Sequence, residues 1–285
     1  MRYSRSGLTT AAQPVSGPYN SCNSRHPAEQ PVKGYTLSSS ILAHPALGSR
    51  HKGDEHRWPA PLESFYEAVG KRVASASSEA NYLYPPPCDI SQAQMPSTPS
   101  LPPPSSGLTL SRVAVGRGTQ NYTCDTTNSS AVPVSVGAVA TLYNASCVAV
   151  LYPELLSLMP NVALQYPPPS SASPLSPSNI DLSGHHYFVD ASTPFFDLDT
   201  SSHSYGTGAF KKAAACPAPG DAPRGPLREG GYGSVAWLKL AAKGAGQTFQ
   251  EVYRINTAGG NPPASCVGQP ASQEVDYAAE YWLFQ

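Results

Sequence analysis

The sequence predicts a mostly β fold, an antiparallel sandwich or barrel, on three observations. From Leu108 onward the chain breaks into short β-type runs separated by glycine and proline. In the last of these, Glu274–Phe284, Val275, Tyr277, Ala279, Tyr281 and Leu283 share one face at period two. The spacing of the runs and their turn signals suits antiparallel neighbours.

The elements follow in order. Residues 1–84 read as a low-order extension, in which only Leu62–Val69 has helical spacing, with Leu62, Phe65, Tyr66 and Val69 on one side. Residues 85–107 read as a proline-rich linker, because Tyr84-Pro-Pro-Pro87 and Leu101-Pro-Pro-Pro104 favour extended polyproline spacers. The β-rich domain is predicted over 108–285. Leu108–Val115 alternates with a change of face that suggests a bulge. Val136–Tyr143 is nearly uncharged, as in a buried strand. Between Pro153 and Pro160 the leucines leave room for one short helix. A Pro/Ser loop at 167–178 precedes strands at Gly184–Val189 and Thr193–Leu198. An Ala/Pro/Gly loop at 213–233 precedes strands at Ser234–Leu240 and Phe249–Asn256.

Charge narrows the function. The net charge is -1 and only 13% of residues are charged, so the basic footprint of a nucleic-acid-binding protein is missing. No polybasic run addresses an anionic membrane surface, and no apolar stretch approaches the 18 residues of a spanning helix.

The six cysteines lie far apart, with no CxxC pair and no histidine at finger spacing, which favours disulfides in an oxidising compartment over zinc. Three glycosylation sequons, at Asn121, Asn128 and Asn144, agree with export. Met1–Gln30 has no apolar h-region and shows no signal peptide. The expectation is that residues 1–84 are an atypical extension, or have replaced a leader.

Six ordered blocks resemble a known family: Gly116-Arg-Gly-Thr-Gln-Asn-Tyr-Thr-Cys124, Gly137-Ala-Val-Ala-Thr-Leu-Tyr143, Gly184-His-His-Tyr-Phe188, Glu251-Val-Tyr-Arg254, Thr257-Ala-Gly-Gly260 and Tyr277-Ala-Ala-Glu-Tyr-Trp282. The family is a domain of unknown function in fungal and bacterial proteins, usually secreted, whose fungal members often carry a transferred malate dehydrogenase label. The resemblance covers roughly residues 85–285, including Cys88-Asp-Ile. It implies an extracellular or cell-wall protein and brings no established catalytic residues. Within it Cys88, Cys124, Cys147 and Cys266 are the disulfide candidates, with three complete connectivities open to them.

The dehydrogenase label fails on the residues. Gly231-Tyr-Gly233-Ser-Val-Ala236, with Glu251 downstream, is the one match to the dinucleotide fingerprint. That motif needs a strand before it and a helix after it. Here Pro217–Pro223 precedes it and a strand-like run follows, so no cofactor is expected. No G-x-S-x-G elbow is present, and Ser234 reads as a turn serine. His185 and His186, as strand neighbours, point to opposite faces and are poorly placed for one metal. Asp197 and Asp199 share a face and would suit a cation or a paired acid and base. They are the candidates for an enzyme reading, against a default of packed histidine and solvated loop acids. The aromatic cluster of Tyr253, Tyr277, Tyr281 and Trp282 suits a carbohydrate or a small apolar ligand. The favoured reading is a secreted, disulfide-stabilised binding or structural module without cofactor or metal.

Overall fold

Eight antiparallel strands follow one another around a closed barrel, in a computed structural model that describes residues 59–76, 88–98, 100–170, 173–226 and 231–285. They are β1 (Leu110–Thr123), β2 (Val134–Asn144), β3 (Leu182–Asp190), β4 (Thr193–Asp199), β5 (Ser204–Cys216), β6 (Trp237–Ala242), β7 (Glu251–Gly259) and β8 (Ser272–Phe284). Pairing of β1 with β8 closes the ring, so no strand edge is left open.

Period-two alternation divides the side chains between the two sides of the wall. Ala114, Leu142, Phe196, Phe210, Val252, Tyr277, Tyr281 and Leu283 pack inside. Val113, Val115, Tyr143, Tyr253, Ile255 and Trp282 pack on the outside, beneath a helical layer that contributes Leu156, Met159 and Val162. The predicted β8 face is the inner one, and its opposite face is buried too, so Val275–Phe284 is covered on both sides. The predicted bulge near Leu108–Val115 is a register shift between Leu110 and Arg112. Gly116 makes room inside the barrel: a Cβ there would stand 2.5 Å from the Tyr281 ring.

The structure corrects three boundaries. One short helix was expected, but the described residues form α1 (Ala60–Ala76), α2 (Ser146–Leu151) and α3 (Pro153–Ala163), with a 3-10 turn at Ile90–Gln92. Pro153 opens α3 at its first turn, where no N–H is needed. The helix continues through Pro160 because Leu156, Met159, Val162 and Ala163 are buried, and packing outweighs the lost hydrogen bond.

Second, the helical spacing at 62–69 is real and longer than expected. Phe65 is only 6% exposed, Leu62 and Val69 pack beside it, and Arg72 bonds Glu154 of α3. An amphipathic helix needs a partner for its apolar face, and α3 supplies one, so the extension is not wholly low-order. The rest of residues 1–84 lies outside the described residues.

Third, the proline-rich segment is no free spacer. A polyproline backbone makes no internal hydrogen bonds, so its carbonyls are available to side chains. The Tyr253 hydroxyl donates to the Pro102 carbonyl at 2.8 Å and Lys239 Nζ to that of Pro103 at 2.7 Å. Glu251 accepts from the Ser105 amide at 3.1 Å and hydroxyl at 2.6 Å, and pairs with Lys239 at 2.9 Å. Ser105→Ala is expected to cost about 1.5–3 kcal/mol, the range for a hydrogen bond to a charged group. A lower urea midpoint at unchanged m-value would show it.

Cys88 bonds Cys147 and Cys124 bonds Cys266. Cys216, absent from the sequence-based candidates, is disulfide-bonded as well.

Candidate functional site

The four His/Asp candidates do not converge. His185 stands opposite Asp197 across β3 and β4, in an outer row with Thr141 and Thr207. His186 points inward, 3% exposed, with its ring stacked on Phe196 at 4.3 Å and Nδ1 2.9 Å from the Phe195 carbonyl. Burial holds this imidazole down at about 4, so it is neutral near pH 7. Asp197 accepts the Asp199 amide at 3.2 Å, and Asp199 accepts the Gly206 amide at 2.8 Å. Both carboxylates thus order the β4–β5 turn. Asp190 does the same for the β3–β4 turn through the Ser192 amide, which helps hold its carboxyl at about 2. Among the described residues no group of three His, Cys, Asp or Glu side chains could hold a metal ion.

The glycine fingerprint lacks its required frame. Gly231–Ala236 leads into the antiparallel strand β6, and Ser234 bonds the Pro223 carbonyl. Glu251 opens β7 and holds the proline strap described above. The run does border a cleft of about 520 Å³ at the end of the barrel, lined in part by Pro217, Pro219, Ala222, Arg224, Ser234 and Asn261.

Just behind that cleft lies a residue that sequence reasoning missed. Arg254 of β7 is in register with Leu238 and Tyr281, and residues paired across strands share a face, so its guanidinium points into the barrel. It is 9% exposed. Nη2 donates to the carbonyl of Ala236, a lining residue of the cleft, at 2.9 Å, and the buried Nε has no partner. Among the described residues no carboxylate pairs with it. The groups that feel its charge are Tyr122, Tyr277, Tyr281 and His186. Burial pushes Tyr122 up to about 12 and raises both Tyr277 and Tyr281, whose hydroxyls meet at 2.8 Å, so all three stay neutral.

Arg117 shows the contrast. It points outward beneath α3 and is saturated by Asp276 at 2.9 Å and by the carbonyls of Ala163, Gly118, Tyr166 and Tyr277.

Residues 104–285 match the family described as "Protein of unknown function (DUF3455)". The chain belongs to the DUF3455 family. The match covers all eight strands, with Arg254, the cleft and the His/Asp row inside it, and starts later than the residue 85 implied by resemblance. No curated protein and no solved structure matches the chain. Of the three sequons in this DUF3455 domain, Asn128 sits exposed in a turn. Asn121 and Asn144 are half-buried strand residues that accept hydrogen bonds from Thr119 and Ser146.

Proposed function

We propose that this DUF3455 domain is an extracellular binding module that takes a small, partly apolar ligand at the end of its barrel. The cleft of about 520 Å³ beside Ala236 carries the reading, since small-molecule sites are concave, largely apolar and crossed by a few polar groups. The disulfides support an oxidising compartment, and Cys124–Cys266 ties the barrel together at the end that holds the cleft. No helix among the described residues is long and apolar enough to cross a membrane. Asn128 is the sequon best placed to carry a glycan. The enzyme reading has less support, because Asp197 and Asp199 are engaged by turn amides and His186 is packed.

Amide NMR of the full chain, titrated in turn with benzyl alcohol and with cello-, chito- and xylo-oligosaccharides, tests the proposal. Saturable shifts at Ala222, Arg224 and Asn261 with benzyl alcohol are expected. Shifts there only with an oligosaccharide would move the ligand class to carbohydrate. No shift at the cleft with any probe would overturn the binding role.

A further inference from the structure

We infer that the ligand of this barrel carries a carboxylate, and that Arg254 and Gln120 hold it. The inference rests on the domain being a ligand-binding barrel. A buried charge is tolerated when it is paired and hydrogen-bonded, and costly when it is not. Arg117 meets that condition within the same fold, with a carboxylate and four carbonyls around it. Arg254 does not. Two neutral acceptors, the Ala236 carbonyl and the Tyr281 hydroxyl, serve its five N–H donors, and Nε is buried without a partner.

A second orphan lies close by. Gln120, 6% exposed, sits on the inner face of β1 opposite Ala138 and Val275, and its amide nitrogen has no well-formed hydrogen bond. Tyr277 connects the two: its hydroxyl feels the Arg254 charge on one side and the Gln120 side chain on the other. Arg254 Nε and Gln120 Nε2 are both N–H donors. Two donors, one of them cationic, ask for a group that only accepts and is negatively charged. A carboxylate meets both requirements and matches the planar fork of a guanidinium.

The walls say what the rest of the molecule is like. Phe196, Tyr277 and Tyr281 line the interior, and the surrounding phenols and imidazole supply no negative charge of their own. An eight-stranded barrel has space for its own side chains or for one small ligand. The Ala236 carbonyl, held by Arg254 and belonging to the wall of the cleft, marks the route in. The fitting class is a small aromatic or otherwise apolar acid.

Sodium benzoate and benzyl alcohol differ chiefly in the carboxylate, so the pair isolates the charge. The full-length chain is titrated with each while the side-chain Nε–H resonance of Arg254 is followed by NMR. A saturable shift with benzoate, and at least roughly tenfold weaker binding of benzyl alcohol, is expected for a charge-assisted pair. Arg254→Met is expected to lose benzoate binding by a similar factor. It is also expected to melt no lower than the wild type, because the unpaired charge has gone. If Arg254→Met does not fold, the wild-type resonance still decides. An Nε–H signal indifferent to benzoate overturns the inference, as does benzoate binding that survives in Arg254→Met. Equal binding of both probes sinks the carboxylate while leaving the barrel a binding module.

Discussion

Replacing Cys124 and Cys266 together by alanine is expected to destabilise the domain by about 5 kcal/mol. The bridge joins residues 142 positions apart, and in the chain-entropy model a loop of that length removes about this much freedom from the unfolded state. The bridge also stands where the barrel closes. The β1–β8 seam runs down to Thr123 opposite Ser272; Cys124 follows Thr123 at once and Cys266 lies in the loop before Ser272, with the Cys124 amide bonded to Ala271 and the Cys266 amide to Ala131. Without the crosslink this end of the seam depends on backbone pairing alone. Small domains have only about 5–15 kcal/mol in hand, so the loss should bring the variant close to unfolding. The Cys88–Cys147 bridge, spanning 59 residues, should be worth about 4 kcal/mol by the same logarithm. Urea denaturation of the double variant against the oxidised wild type gives the number. A loss below about 1 kcal/mol would mean that the unfolded chain keeps these ends together without the bond.

How far the sequence revealed this architecture depended on how each element is buried. In β8 the alternation of Tyr277, Ala279, Tyr281 and Leu283 announced the inner face, and the β1 bulge showed as a change of phase. Strand β5 went unseen because Gly206, Gly208, Lys211, Lys212 and Ala213 have little intrinsic β preference. It is a strand because β4 and β6 pair with it on either side. The helical stripe of α1 was legible, but not the surface of α3 that it covers, since docking partners leave no local signal. Arg254 was missed for a related reason. Period two does place it on one face with Val252, but β7 is buried on both faces, so the pattern does not mark that face as the barrel interior. His185 and His186 carry the same ambiguity: alternation separates them without saying which one is inside. Cys216 has a disulfide partner that its spacing did not suggest.

Acidification from pH 6.5 to 4 is expected to withdraw about 3 kcal/mol of stability through His186 alone. In the unfolded chain its imidazole titrates at the ordinary 6.5, whereas in the barrel burial takes it down to about 4. The Phe195 carbonyl accepts from Nδ1, which opposes that shift, and the Arg254 charge reinforces it. Between the two values the unfolded state holds a proton that the folded state refuses. The stabilising contribution is therefore complete above pH 6.5, falls as pH drops through this window and declines no further below about 4. Asp190, held at about 2 against its usual 3.8, acts only at lower pH. Buried Glu280 runs the other way: its carboxyl is raised by burial, so its contribution weakens as pH rises above 4.5. A comparison with His186→Phe separates these slopes, because phenylalanine keeps a flat ring against Phe196 and cannot titrate. Loss of the bond to the Phe195 carbonyl adds an offset that does not vary with pH above the window. The difference in unfolding free energy between the two proteins should move by about 3 kcal/mol across the window, in favour of the variant at the acid end. A difference that stays level would show that His186 takes up its proton without leaving the folded barrel, and hence that water reaches the interior beside Phe196.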